Sequence, residues 1–248
     1  MIDLTNFDWG WMNEPVKYNV NGEIQYLWHI NPDESLTHMG EYHKNSIIQE
    51  IFVEKCYEKF FEVNEGDIVL DIGASLGPFT YSILHKKPKQ VFCFEPSEGE
   101  FKTLVKNLRG YPVIPIPKGI SNVNSIVENE LLFGGETEME TITFKKFIDL
   151  YNVDKIDFIK TDCEGGEYDI FTEDNLDYLR LNVKKVVGEW HLRTPELKEK
   201  FRNFRDNILP HFKNYKVFSI DGIDIKWDLW NDNFINYYTE VIIHIDNR

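Results

Sequence analysis

The sequence predicts an α/β fold built on a mostly parallel sheet, and three observations in one stretch predict it. Two short apolar runs, Ile68-Val69-Leu70 and Val91-Phe92-Cys93-Phe94, each end at an acid, Asp71 and Glu95. Between them Gly73 and Gly77 bracket a tight turn, and Pro78 suits the first turn of a helix, where its missing N–H is not needed. Glu95 closes the second run 24 residues after Asp71, the length of one strand–turn–helix–strand unit. In such sheets ligands bind beyond the carboxyl ends of the strands, beside the first strand-to-helix turn.

The elements follow in order. Residues 1 to about 40 are rich in aromatic and polar side chains (Phe7, Trp9, Trp11, Tyr18, Tyr26, Trp28) with little period, and read as an N-terminal cap of short strands or loops. Ile48, Phe52, Cys56 and Phe60 recur every four residues and predict a helix over 41–61. Glu65-Gly66-Asp67 turns into the first strand. Ser97 with Glu100 forms a capping-box pattern for a helix running to about Leu108. The third strand, Val113 to Ile116, is crowded by Pro112, Pro115 and Pro117, which places it at a sheet edge. Residues 122–139 read as a loop or hairpin insertion with a Gly134-Gly135 turn. Then come a helix at 144–151, strand four at 156–161, a helix at 166–181 and strand five at 183–190. A helix at 195–209 and an antiparallel pair at 215–220 and 237–245 complete the chain. No internal repeat or linker divides it, so a single domain over 1–248 is expected, with 1–45 as cap and 46–248 as core.

The turn has a specific chemistry. Glycine lets the backbone approach a ligand closely, and the helix N-terminus behind it offers N–H groups to an anion such as a carboxylate. A carboxylate at Glu95 can accept hydrogen bonds from both hydroxyls of a ribose. The spacing is Asp71-x-Gly73-x-x-x-Gly77, with Ser75 where the dinucleotide pattern G-x-G-x-x-G has its middle glycine. A pyrophosphate needs that glycine, whereas a nucleoside with an amino-acid tail does not. This argues against a nicotinamide-dependent oxidoreductase, the alternative on a similar sheet.

Those residues carry a family resemblance. LDIGASLGPFT followed by FEPS resembles the cofactor half of class I S-adenosyl-L-methionine (SAM) methyltransferases. Residues 157–167 (DFIKTDCEGGE) resemble the K-x-D-x-E-G-x-E signature of the FkbM-like branch. Residues 140–147 (ETITFKKF) resemble the segment before it, and 186–191 (VVGEWH) the strand after it, which ends in an acid and a histidine. Lys145 departs from the pattern, which has an aspartate after a leucine there, and that position reads as the start of a helix. The resemblance covers about residues 66 to 192. It implies a Rossmann-like sheet of order 3-2-1-4-5-7-6 with the last strand antiparallel, an order in which strand three is an edge, as its prolines require. It implies SAM as cofactor, held by Asp71, Gly73, Ala74, Ser75, Gly77, Phe79, Glu95, Pro96, Ser97, Ile120, Ser121 and Asp162, with 119–121 facing the adenine. It also implies O-methylation, with sugars and polyketide-type products as acceptors. An inactive SAM-binding module is the second alternative.

Methyl transfer from a sulfonium is an in-line displacement, so the enzyme must hold the nucleophile on the methyl axis and accept its proton. Asp162 ends strand four, Glu189 and His191 end strand five, and Lys160 shares a strand face with Asp162. These four are the catalytic candidates. His191 is the first choice for general base, since imidazole titrates near neutrality; it reads equally as a strand-end histidine satisfying backbone groups. Asp162 is the second choice, or binds the cofactor's amino group. Lys160 reads more readily as the partner of a nearby acid, and Glu164 and Glu167 read equally as caps of the following helix. Asp162, Glu164, Glu189 and His191 could assemble a magnesium-type site, but acid clusters are more often solvated, and no catalytic metal is expected.

The 248 residues carry a net charge of −15 from 27 Lys and Arg against 42 Asp and Glu, which argues against nucleic acid as partner. A core of this size needs no disulfide or structural metal. Cys56 and Cys93 sit in apolar patterns, nothing beside Cys163 suggests an activated thiolate, and the spacing of the three fits no zinc site. His29, His38 and His43 have no ligand spacing and read as cap or surface residues. No apolar run reaches membrane-spanning length, and the N-terminus lacks a basic-then-apolar signal pattern, so no membrane partner and a cytoplasmic location are expected.

Overall fold

The computed structural model describes residues 16–20, 23–27, 49–124, 126–130 and 136–248. Most of the expected cap, its histidines included, lies outside these residues, as does the Gly134-Gly135 turn. Within the cap, strands β1 (Val16–Val20) and β2 (Glu23–Leu27) pair as an antiparallel hairpin.

The main sheet starts with β3 (Ile68–Ile72), followed by helix α1 (Pro78–Ile83), β4 (Gln90–Phe94), α2 (Glu98–Asn107) and β5 (Val113–Ile116). A small three-stranded sheet interrupts the chain: β6 (Gly119–Ile120), β7 (Ile126–Glu130) and β8 (Glu136–Ile142), with β7 and β8 antiparallel as the expected hairpin insertion. Then follow α3 (Phe144–Tyr151), β9 (Ile156–Thr161), α4 (Glu167–Ile170), α5 (Glu173–Asn182), β10 (Val183–His191), α6 (Pro195–Asn203), β11 (Asn214–Ser219) and β12 (Glu240–Asp246). The seven strands are ordered β5-β4-β3-β9-β10-β12-β11. Counted along the chain this is 3-2-1-4-5-7-6, with β12 antiparallel to both neighbours and the other pairs parallel. The proline-rich β5 is an edge, as its missing donors demand.

The strands bury both faces. Leu70, Phe92, Phe94, Ile159, Val186 and Trp190 pack against α3, α4 and α6. Val69, Val91, Cys93, Phe158 and Val187 pack against α1, α2 and the segment before β3. Parallel sheets covered on both sides read as continuous apolar runs for this reason. At the start of α3 the Thr143 hydroxyl accepts the Lys146 N–H at 3.1 Å. Thr143→Ala is expected to cost about 1 kcal/mol, read as a lower denaturant midpoint at unchanged slope.

Three local expectations are corrected. Over 49–61 there is no continuous helix but a π-helical turn (Gln49–Val53) and a 3-10 turn (Cys56–Glu58), separated by Lys55 at φ 51°. That left-handed residue rotates the apolar face, so Tyr57 and Phe61 are buried where the four-residue stripe pointed to Cys56 and Phe60. Ser97 is the N-cap of α2 but makes no side-chain capping bond. Its backbone N–H donates to Glu95 Oε1 at 2.8 Å instead, and Glu100 is drawn toward Ser75. The expected helix over 166–181 is broken at Phe171, whose buried ring lies 5.4 Å from Trp190 and 5.9 Å from Phe204. Burying that ring takes Phe171 out of helical geometry (φ −89°, ψ 69°), and α5 restarts after Thr172.

Candidate active site

The turn after β3 is shaped by contact with the end of β9. Gly73 has φ 74°, and a Cβ there would stand 1.7 Å from the Asp162 carbonyl oxygen. Only glycine lets the two strand ends meet. Asp162 N–H donates to Ile72 O at 3.0 Å, and Lys160 Nζ donates to Gly73 O at 2.7 Å. The turn's donors are used internally: Gly73 and Ala74 donate to Phe94 O, Ser75 to Glu95 Oε2 and Gly77 to Ala74 O. The glycine at 73 serves close approach, here of the Asp162 carbonyl.

Glu95 is buried at the end of β4 and accepts one backbone N–H on each oxygen, from Ser75 and Ser97, both at 2.8 Å. Each oxygen keeps a lone pair for a ribose hydroxyl. Burial, with the Glu100 carboxylate beside it, pushes the Glu95 carboxyl up to about 8. Pro96 lies against Gly119, and the Ser121 hydroxyl donates to Asp169 at 3.2 Å. Ile120 is buried, with its carbonyl close to Gly166. Asp71 and Phe79 stand behind the turn rather than lining it. Asp71 is sealed, accepting the Thr80 hydroxyl at 2.7 Å and pairing with Lys160 at 3.3 Å. The Phe79 ring stacks on Phe158, 5.8 Å away.

The four catalytic candidates do converge, but in two layers. Cys93, Asp71, Lys160 and Val187 are register partners across β4, β3, β9 and β10. Lys160 therefore lies inside the sheet's packed face. Burial would lower its ammonium, but Asp71 and Asp162 outweigh this and hold it above its ordinary value. Above it sits Asp162, whose Oδ2 accepts the Tyr57 hydroxyl at 2.9 Å and whose Oδ1 lies 3.7 Å from His191 Nε2. Burial first, and then Asp162, pushes the Glu189 carboxyl up to about 8.

His191 is buried. Its Nδ1 lies 3.0 Å from Oε1 of the fully buried Glu167, an oxygen that also accepts the Cys163 N–H at 2.9 Å. Burial lowers the imidazolium, but Glu167, Asp162 and Glu164 more than offset this and raise it to about 9. Arg193 bridges Glu164 and Glu240. Among the described residues, ligand-type atoms lie within 4.8 Å of one another in two groups, Asp162–Glu164–His191 and Glu189–His191–Glu240. The sequence-predicted trio Asp162, Glu189 and His191 is thus split between them. Tyr57, Arg193 and Glu240 are not singled out by the sequence as active-site residues, whereas Glu167, which reads there equally as a helix cap and as a catalytic group, faces His191 Nδ1. Tyr57 was hidden because the stripe pointed to Cys56, and Glu240 because it enters from the last strand, opposite His191.

These shifts share one sign. A group whose folded pKa is raised contributes stability fully present below its unfolded pKa and lost as pH rises through the folded one. For His191 that window runs from 6.5 to about 9. For Glu95 and Glu189 it runs from 4.5 to about 8. The melting temperature of the ligand-free, chelated protein is therefore expected to fall from about pH 5 to pH 9. His191→Gln should flatten the upper part of that slope; a melting temperature that rises to pH 9 would contradict the assignment.

The model of the methyltransferase FkbM domain matches residues 71–217, more than half of the chain. The chain belongs to the FkbM methyltransferase family. This FkbM-family protein is accordingly a methyltransferase with SAM as its cofactor. The oxidoreductase alternative falls with that match. The residues at the turn fit such a cofactor: a glycine at the one point where a Cβ would collide, and a buried strand-end carboxylate with spare acceptor capacity. No curated protein sequence matches the chain. Similar solved structures include a chain of a fibrillarin/Nop5p complex, 17% identical, covering 79% of this chain and 80% of that one at a TM-score of 0.49. A putative rRNA methylase from Clostridium thermocellum is 13% identical, covering 84% and 96% at 0.48. A putative methyltransferase from Streptococcus mutans in complex with SAH is 11% identical, covering 74% and 90% at 0.46. At these identities and scores no residue role or acceptor is carried over. Among the described residues, no helix is long and apolar enough to cross a membrane.

Proposed function

We propose that this single-domain FkbM-family enzyme is an O-methyltransferase acting on a hydroxyl of a small molecule or glycan, at the ends of β9 and β10. The observation that carries this reading is the abutment of the Gly73 turn on Asp162, which puts the cofactor turn and the acid cluster in one place. When bound, SAM supplies a methyl group activated on a sulfonium. Glu95 would hold the ribose, the Gly73–Gly77 turn the amino-acid end, and Pro96 with 119–121 the base. Lys160 fixes the turn by holding Gly73 O and neutralising Asp71. Asp162 accepts the hydroxyl proton, with its carboxylate aimed by the Tyr57 hydroxyl. His191, protonated below about pH 9 in the ligand-free protein, has no free lone pair with which to take that proton at neutral pH, and its charge lies 3.7 Å from Asp162 Oδ1. The net charge of −15 favours a neutral or cationic acceptor over RNA.

Asp162→Asn is expected to lower turnover by roughly 10²–10⁴-fold while S-adenosylhomocysteine affinity changes only a few-fold. The acceptor class is tested by incubating the enzyme and methyl-labelled SAM with hydroxylated sugars, polyketide-type alcohols and RNA. Label recovered as an ether on a sugar or alcohol supports the reading. Label entering RNA alone would overturn it.

A further inference from the structure

We propose that Asp162, Glu164 and Nε2 of His191 form a binding site for one divalent metal ion of the Mn²⁺ type. The deciding observation is His191 Nε2. It is a buried ring nitrogen with no hydrogen-bond partner among the described residues, and it points between Asp162 Oδ1 at 3.7 Å and Glu164 Oε2 at 3.5 Å. Both distances are too long for hydrogen bonds. They are close to the separation of two donors on one ion, since metal–ligand bonds of about 2.1 Å place neighbouring donors ~3.0–3.4 Å apart in octahedral or tetrahedral geometry. A closure of a few tenths of an ångström brings each of these two pairs to that separation, and all three donor atoms already lie within 4.8 Å of one another.

The surroundings are those of a metal-binding histidine. A ligating imidazole typically donates its other N–H to a carboxylate, which fixes the tautomer. Here Nδ1 faces Glu167 at 3.0 Å, and Glu167 is itself held by the Cys163 N–H. Once an ion displaces the Nε2 proton, the proton that stays belongs on Nδ1, and the Nε2 lone pair points between the two carboxylates. Glu164 is in turn bonded by Arg193, as ligating carboxylates usually are. Two carboxylates with one imidazole suit Mn²⁺, because oxygen ligands favour Mg²⁺ and Mn²⁺ while imidazole favours the transition ions. An ion there would take the place of the Nε2 proton and lower the pKa of an acceptor hydroxyl bound beside Asp162. That catalytic role rests on the methyltransferase reading; the binding does not.

The test is Mn²⁺ titration of the chelator-stripped, cofactor-free full chain, followed by electron paramagnetic resonance and by melting temperature. One ion per chain is expected, with binding weakened at least tenfold in Glu164→Gln and in His191→Gln. Glu167→Gln should lose ~10–100-fold, and Glu189→Gln should bind as wild type. Asp162→Asn supplies a second ligand variant if His191→Gln does not fold. Absence of Mn²⁺ binding by wild type would overturn the proposal. Binding kept in Glu164→Gln but lost in Glu189→Gln would overturn this ligand set. S-adenosylhomocysteine binding, measured separately on the same protein, reports on the methyltransferase reading alone.

Discussion

Lys160→Met is expected to destabilise the protein by about 3–5 kcal/mol, the cost of leaving one partner of a buried pair uncompensated. The Lys160 side chain is 4% exposed and that of Asp71 0%, 3.3 Å apart in the middle of a packed sheet face. Removing the ammonium leaves Asp71 with only the Thr80 hydroxyl among the described residues and frees the Gly73 carbonyl. The double variant Lys160→Met/Asp71→Asn should recover much of the loss, because replacing both members of a buried pair is often near neutral. Denaturant unfolding of the two variants checks this. A single variant within 1 kcal/mol of wild type would mean that Lys160 is solvated and free for chemistry.

Gly73→Ala is expected to be nearly as damaging to the fold and worse for the cofactor. A Cβ 1.7 Å from Asp162 O and 2.7 Å from its carbonyl carbon cannot be accommodated without parting β3 from β9. The left-handed conformation adds about 1 kcal/mol for any residue with a Cβ. Destabilisation of several kcal/mol, on the order of the largest single-site effects (~4), should accompany loss of measurable S-adenosylhomocysteine binding. Gly66→Ala is the control: it shares a positive φ (82°) but would meet nothing within 4 Å. It should lose only the conformational term of about 1 kcal/mol, with cofactor affinity intact.

The difference between those two glycines shows where sequence reading stops. Both lie in turns at positive φ, and the motif spacing singles out Gly73 for close approach, but only the fold shows that what approaches it is the Asp162 carbonyl. The strand order was legible because apolar runs, strand-end acids and the prolines around β5 are local signals that agree. The β7–β8 hairpin and the start and end of α3 were legible for the same reason. Local breaks were not. Lys55 at φ 51° and the Phe171 ring turned toward Trp190 answer to tertiary packing, and neither leaves a mark in periodicity. The candidate site was half legible. Asp162, Glu189 and His191 follow from strand ends, but Tyr57 and Glu240 arrive from distant segments. The environment of His191 is not legible in the sequence: in the ligand-free chain Glu167, Asp162 and Glu164 raise it to about 9, and these acids meet it only in the folded site.

The central claim is that the turn from Asp71 to Gly77 and the Glu95 carboxylate hold SAM. The most direct test is calorimetric titration of S-adenosylhomocysteine and of NAD⁺ into wild type and Glu95→Gln, with melting temperatures to show that both are folded. The account predicts one S-adenosylhomocysteine bound per chain, roughly tenfold or more weakening in Glu95→Gln from lost hydrogen bonds of about 1.4 kcal/mol or more, and no heat with NAD⁺. Binding of NAD⁺ instead, or S-adenosylhomocysteine affinity unchanged in Glu95→Gln, would contradict it.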